Sequence, residues 1–275
     1  FVNEVEKKII NQINVFGNDI TEEKVIRNNI LFAEGDRSAD YFYKESTDNL
    51  KSLGIFEKVK LTKENIDNSN NVNVNIEVEE KATGEIAAGA GFGTTGALIS
   101  FSLREKNYLG KGILTDVNMN LGTDKSLGSF NVVHPDFADS GISFSNNFFI
   151  TESSYDNSGY ENKSIGASTS IENEIFKSVN LETGLGFKFD SIDAQSNATN
   201  LIKTQDGDFL TTNFFYNISN DQRTTKYETK SGYTFGFGQD LASFFSDKPY
   251  LSNKIFGTFY HELHENFVGS IRYKI

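Results

Sequence analysis

From Gly84 to Ile275 the chain repeats one pattern, in which apolar and polar residues alternate along strand-length stretches. In Val179–Phe189 the apolar side chains share one face, and Asn180, Glu182 and Lys188 share the other. A period of two predicts a β-strand with one apolar and one wet face, and the stretch is long enough to cross a bilayer at a tilt. Soluble β-sandwiches alternate too. The long strands, the charge and glycine on the polar face and the long polar loops favour a transmembrane barrel.

The alternation predicts eleven strands in this region. They are placed near 84–93, 96–104, 111–122, 127–134, 142–152, 163–172, 179–191, 208–218, 231–239, 252–262 and 266–275. Long outer connections are expected at Thr151–Lys163, Ser191–Asp208 and Asp240–Asn253. Eleven is an odd number, whereas single-chain bacterial barrels have an even number of strands.

Residues 1–82 follow a different pattern, which predicts a small two-layer α+β domain. A first helix is expected to begin at Thr21 as its N-cap, and a second to end before Gly54. The predicted order is strand, helix, helix, strand, strand: Ile10–Phe16, a helix from Thr21, a helix from Ala39 to Leu53, Phe56–Leu61 and Val72–Val78. The Asn-rich stretch from Asn65 to Asn71 is predicted to join the last two strands.

Composition narrows the function classes. The 275 residues include no Cys, which excludes disulfides and thiolate chemistry. Aromatic residues are abundant, with 25 Phe and 11 Tyr. The net charge of −12 argues against nonspecific nucleic-acid binding. No apolar run approaches the length of a membrane helix, but strands that alternate can cross a membrane without such a run. The N-terminus lacks a signal-peptide pattern.

The N-terminal region resembles a POTRA domain. The residues that carry this resemblance are Val15-Phe16-Gly17-Asn18, the segment from Leu50 to Val59 with Leu53, Gly54 and Phe56, and Val78-Glu79-Glu80-Lys81 followed by Thr83-Gly84. In BamA-type proteins the last POTRA domain enters the barrel through such a Val-Glu-Glu segment.

The start of the barrel region resembles the BamA-type family as well. Gly89-Ala-Gly-Phe-Gly93 matches its glycine-rich first strand. Asn107-Tyr-Leu109-Gly110-Lys-Gly112 matches the turn after the second strand, and His134-Pro135-Asp136-Phe137 resembles the turn after the fourth. Each motif is weak alone, but their shared order covers most of the chain.

The resemblance implies a fold, a location and a function. It implies one POTRA domain at 1–82 and, at 83–275, the N-terminal eleven strands of a sixteen-stranded outer-membrane barrel, so that the sequence is a fragment. It implies an outer-membrane protein assembly factor without catalytic residues, metal or other cofactor, whose POTRA domain lies in the periplasm. The implied partners are unfolded outer-membrane proteins, periplasmic-side lipoproteins of the assembly complex and outer-membrane lipid, and no nucleic acid.

The first strand is the candidate functional element. Its small residues, Gly84, Ala87, Gly89, Gly91 and Gly93, offer little side-chain surface for cross-strand packing. Family resemblance implies a lateral gate there, where an incoming strand pairs with an open edge. The alternative is that small residues accommodate tight curvature or an approaching domain.

Other functions and sites stay open at this point. A translocation pore, TamA-like or of the two-partner secretion type, also joins POTRA domains to a barrel, while the POTRA segment argues against a passive porin or a barrel enzyme. His261 and His264 are expected to be polar residues at a strand end, because positions three apart on a strand point to opposite faces. Aromatic girdles at the membrane interfaces are expected to include Phe148, Phe149, Phe214, Phe215, Phe244, Phe245 and Tyr250.

Overall fold

The N-terminal domain is a three-stranded sheet covered by two helices, as predicted. The computed structural model describes residues 8–67, 69–93, 96–225, 229–243, 245–265 and 267–275, so that Asn68 and Phe244 lie outside the described residues. The elements of this domain are β1 (Ile9–Phe16), α1 (Glu23–Arg27), α2 (Asp40–Ser52), β2 (Phe56–Asn65) and β3 (Asn71–Glu80). The sheet order is β1-β3-β2, with β3 parallel to β1 and antiparallel to β2.

The core of this domain follows from the alternation in its central strand. Val72, Val74, Ile76 and Val78 are buried, whereas the residues between them face away from the helices. Apolar residues from β1 and both helices complete the same cluster, among them Ile10, Ile13, Ile26, Tyr43 and Leu50. Burial of these side chains holds the helices on the sheet.

The described residues from Gly84 onward form one sheet of eleven strands, in the number and at the places that the alternation predicts. Each strand pairs with its neighbours in the chain, in the order β14 to β4. The strands are β4 (Gly84–Gly93), β5 (Gly96–Tyr108), β6 (Ile113–Gly122), β7 (Lys125–His134), β8 (Ser143–Tyr155), β9 (Tyr160–Phe176), β10 (Val179–Ala194), β11 (Gly207–Asp221), β12 (Gly232–Ala242), β13 (Tyr250–His264) and β14 (Phe267–Lys274).

Several strands are longer than predicted, so the outer connections are shorter. The connection expected from Thr151 to Lys163 is reduced to Asp156–Gly159, because β8 and β9 continue as paired strands to Tyr155 and Tyr160. The rings of these two tyrosines stack 4.6 Å apart at the end of the hairpin. The prediction of a long loop here is wrong, because the polar residues of this stretch have cross-strand partners that keep them in the ladder.

The two faces of the large sheet differ as a membrane barrel requires. On one face large apolar side chains are about half exposed, including Phe148, Ile165 and Phe187. On the other face polar side chains hydrogen-bond across strands, and Glu182 accepts from both Ser170 (2.9 Å) and Asn217 (2.8 Å). An apolar outer face opposite a polar inner face is the arrangement of strands that face lipid on one side.

Contacts divide the chain into two compact units. The first contains the residues up to Thr83, the turn Lys106–Ile113 and the described residues of Thr224–Thr229, and the second contains the rest. Within the described ranges, the helices are too short and too polar to traverse a membrane.

Candidate functional site

Strand β4 is an edge of the eleven-stranded sheet. It pairs with β5 from Gly84–Glu105 to Gly93–Gly96, and among the described residues no strand pairs with its other edge. All its residues are exposed, and Phe92 is 92% exposed. An edge strand presents a row of backbone N–H and C=O groups that a further strand can bind.

Crowding by described neighbours does not require glycine at Gly91 and Gly93 of β4. A Cβ added to Gly91 or Gly93 would meet no atom within 4 Å, and one at Gly89 would lie 3.2 Å from the Ser100 hydroxyl. Ala87, opposite Ser102, contributes only a methyl group. The alternative that a close neighbour demands glycine therefore has no support at Gly91 and Gly93 among the described atoms, whereas weak cross-strand packing is a direct consequence of these residues.

The turn between β5 and β6 lies in the first unit and packs on the loop before α1. Asn107 is 6% exposed, and its Nδ2 donates to Oγ1 of Thr21 at 2.9 Å. Its Oδ1 accepts from the N–H of Gly112 at 2.7 Å, which closes the turn. The C=O of Gly110 accepts from the N–H of Glu22 at 2.8 Å. The family motif therefore forms a docking turn, a role that the sequence did not predict.

The glycines of this turn meet two different requirements. Gly110 and Gly112 have φ values of 73° and 65°, which favour glycine. At Gly110 the space is also closed, because an added Cβ would lie 2.1 Å from the C=O oxygen of Ile20. Leu109, 70% exposed, takes a φ of 57° although it is not glycine.

Thr21 does not cap the first helix, contrary to the prediction. Helix α1 begins at Glu23 with Glu22 as its N-cap, and the cap makes no side-chain hydrogen bond. Thr21 is instead 2% exposed between Asn107 and Glu80. A hydroxyl can accept from one partner and donate to another, which is why Thr21 links the two groups.

Glu80 completes this cluster from the end of β3. Its carboxylate accepts from the N–H of Ile20 (3.0 Å) and of Thr21 (2.7 Å). Burial raises the pKa of Glu80, but the hydrogen bonds from the Thr21 hydroxyl and from these backbone groups outweigh burial, so its pKa lies below the ordinary value. We call Thr21, Glu80, Asn107, Gly110 and Gly112 the docking cluster.

The other POTRA-motif residues serve the fold of the first unit. Gly17 has a φ of 83°, and an added Cβ would lie 2.0 Å from the C=O oxygen of Val78. Asn18 donates to the C=O of Thr21 at 2.9 Å. Leu53 is the C-cap of α2, Gly54 follows with a φ of 69°, and Phe56 is buried in the core.

The turn after β7 is closed by its own residues. Asp136, which follows Pro135, accepts from the N–H of Gly141 at 2.7 Å. Phe137 lies in a short 3-10 helix, and its ring is 4.9 Å from that of Phe144 and 5.8 Å from that of His134. These contacts give the turn a local structural role.

Three of the predicted girdle aromatics lie on the polar face instead: Phe149, Phe215 and Tyr250, whose hydroxyl donates to Asp240 at 3.2 Å. Phe149 and Phe215 stand directly opposite Gly166 and Gly184 on the neighbouring strands. Their rings cover these glycines, since an added Cβ at either glycine would lie within 2.4 Å of a ring carbon. Phe148 and Phe214 remain on the apolar face. Consecutive side chains of a strand point to opposite faces, so one residue of each Phe-Phe pair must lie on the polar face. The glycine partners of Phe149 and Phe215, however, follow only from the strand register.

The histidine pair lies at the end of β13, where the ladder with β14 shifts register between Glu262 and His264. Across the described part of the chain, no three His, Asp or Glu side chains are grouped as a metal site would need.

Two family models match the chain. One, described as the Omp85 superfamily domain, matches residues 107–275. The other, a POTRA model described as the surface antigen variable number repeat, matches residues 8–81.

Proteins similar to this chain include two BamA proteins and CdiB. The outer membrane protein assembly factor BamA of Neorickettsia risticii is 25% identical over 252 residues, which cover 90% of this chain and 34% of that protein. The chain thus spans about a third of the length of this relative. The crystal structure of BamA from Haemophilus ducreyi lacking POTRA domains 1–3 has a TM-score of 0.69 at 19% identity, covering 97% of this chain and 55% of that one. CdiB from Acinetobacter baumannii has a TM-score of 0.59 at 12% identity, covering 97% and 52%.

Proposed function

The chain belongs to the Omp85 superfamily, and from that premise we propose that it is part of an outer-membrane protein assembly factor. It lies in the bacterial outer membrane with its POTRA domain in the periplasm. The POTRA domain receives unfolded β-barrel proteins, and β4 is the lateral gate through which they enter the membrane. Our proposed boundary between the two parts lies between residues 82 and 83.

The observation that carries this proposal is the edge of β4. Strand β4 pairs with β5 through small side chains, and at Gly91 and Gly93 an added Cβ would meet no atom within 4 Å, so this strand is weakly packed. The backbone groups can template an incoming strand, and weak packing lets the pairing open. Gly84, Ala87, Gly89, Gly91 and Gly93 are the proposed gate residues.

The energy for insertion comes from the substrate. A strand in lipid must have its backbone groups hydrogen-bonded, so a closed barrel is strongly favoured over an open sheet. This mechanism needs no catalytic residue, nucleotide or metal. The proposed partners are unfolded outer-membrane proteins, periplasmic-side lipoproteins of an assembly complex and outer-membrane lipid.

Photo-cross-linking tests the gate in the full-length protein reconstituted in proteoliposomes. A benzophenone amino acid replaces Phe92 on β4 or, as the control, Ile165 on β9, which is also exposed on the apolar face but is paired on both sides. During assembly of a urea-unfolded barrel protein, we expect cross-links to the substrate from position 92 and not from position 165. Equal cross-linking at both positions, or normal assembly without any cross-link at position 92, would contradict the gate.

A translocation pore of the same superfamily is the second candidate, and the fold likeness to CdiB fits it. The BamA structure has a higher TM-score than CdiB and a higher sequence identity to this chain, and both support the assembly factor. A conductance of constant, open size together with export of one dedicated partner would favour the pore.

A further inference from the structure

The apolar face of the large sheet contains a groove at the outer ends of β10, β11 and β12. Its volume is about 460 Å³, and its lining includes Leu185, Phe187, Leu210, Phe214, Leu241 and Phe245. With the POTRA domain in the periplasm, β4 runs outward and successive strands alternate. The C-terminal ends of β10 and β12 and the N-terminal end of β11 therefore lie in the outer half of the membrane.

The groove exists because β11 and β12 separate. Strand β11 pairs with β10 along Gly207–Asn220, but with β12 only from Phe214 onward. Between Gly207 and Phe214, the edge of β11 that faces β12 forms hydrogen bonds with the segment that follows β12 instead.

Two residues of that segment satisfy the exposed edge. Asp247 accepts from the N–H of Leu210 at 2.6 Å through its carboxylate, and its own N–H donates to the C=O of Leu210 at 2.9 Å. The Ser246 hydroxyl accepts from the N–H of Thr212 (2.8 Å) and donates to its C=O (2.7 Å). Four backbone groups that hydrocarbon would otherwise leave unsatisfied are thus hydrogen-bonded.

Phe245 forms the outer wall of the groove. It is 89% exposed and has a φ of 59°, in the left-handed region that favours glycine. The hydrogen bonds of Ser246 and Asp247 hold the neighbouring backbone in place, and Phe245 lines the groove together with Leu210 and Phe214.

We propose that this groove binds one acyl chain of an outer-leaflet lipid. Its walls are continuous with the apolar face, which contacts lipid, so hydrocarbon is the medium that fills it. A peptide strand fits less well, because Ser246 and Asp247 already occupy the edge of β11 that such a strand would need. The proposal is independent of the gate at β4.

Lipid photolabelling tests the proposal with the full-length protein in nanodiscs. The probe is a phosphatidylethanolamine that carries a diazirine on its acyl chain, and peptide mass spectrometry locates the label. We expect labelling around Leu210, Phe214 and Phe245 to exceed that around Ile150 and Ile165 by roughly fivefold, the ratio that about 1 kcal/mol of preference gives. The two isoleucines are 56% and 57% exposed on the apolar face and therefore report ordinary lipid contact.

Two variants and one control complete the test, with folding checked by heat-modifiable mobility on gels. Leu241→Trp fills the groove and should abolish the excess labelling, whereas Ile255→Trp should not. These residues are similarly exposed, at 42% and 39%, and Ile255 does not line the groove. Phe245→Ala removes the outer wall and should also lower the excess. Uniform labelling of the whole apolar face, excess labelling unchanged in the folded variants, or a polypeptide in place of lipid at Phe245 would overturn the proposal.

Discussion

At the residue scale, two glycines with nearly equal positive φ values have different surroundings. Gly110 has a φ of 73° and Gly141 a φ of 70°. An added Cβ at Gly110 would lie 2.1 Å from the C=O oxygen of Ile20, whereas one at Gly141 would meet nothing within 4 Å. The pair therefore separates the cost of the left-handed conformation from the cost of displacing a neighbour.

We expect Gly110→Ala to disrupt the docking cluster and Gly141→Ala to leave it intact. Each change costs roughly 1–2 kcal/mol for the positive φ, but only at Gly110 must the loop at Ile20 move as well. Hydrogen exchange of the Glu22 N–H, which donates to Gly110, measures the difference in the full-length protein. Equal exchange rates in the two variants would show that the turn does not depend on this close approach.

At the element scale, the gate hypothesis predicts that better packing of β4 slows assembly. Gly91→Val places a β-branched side chain opposite Leu98, at a position where an added Cβ would meet no atom within 4 Å. Such a cross-strand pair stabilises strand pairing by up to about 1 kcal/mol, so opening and substrate assembly should slow up to roughly fivefold. The measurement is the rate at which a urea-unfolded barrel protein folds into proteoliposomes.

The matched control is Ser129→Val on β7, a strand that is paired on both sides. It adds the same side chain to the polar face without touching the edge of the sheet. Slower assembly in the control as well, or unchanged assembly with Gly91→Val, would count against a gate at β4.

The alternation predicted the strands better than it predicted their contacts. A period of two is a local property, so β4 and the central part of β10 could be placed from the sequence. The partner of Asn107 could not, because Thr21 lies 86 residues away and nothing in the turn motif points to it. The packing of the Phe149 ring over Gly166 likewise depends on the register of two strands, which alternation leaves undetermined.

At the scale of the whole molecule, the docking cluster assigns the β5–β6 turn to the first unit rather than to the sheet from which it extends. The stability of the first unit should therefore depend on Glu80. The folded-state pKa of Glu80 is lowered, so its contribution is present above the ordinary glutamate value of about 4.3 and is lost as pH falls through the lower folded value. Acidification into this range should loosen the first unit, and Glu80→Gln should remove this part of the pH dependence.

At neutral pH, amide hydrogen exchange in the Glu80→Gln variant should show that Glu80 stabilises both the loop before α1 and the β5–β6 turn. Loss of charged hydrogen bonds costs about 1–3 kcal/mol, so the N–H groups of Glu22 and Gly112 should exchange at least several times faster, while those of β9 and β10 keep their rates. Glu79→Gln is the control, because Glu79 is paired with Lys58 at 2.6 Å on the surface, where such pairs contribute little. Faster exchange at Glu22 but not at Gly112 would contradict this prediction. It would show that the β5–β6 turn keeps its structure without Glu80, and that the docking cluster does not couple this turn to the loop before α1.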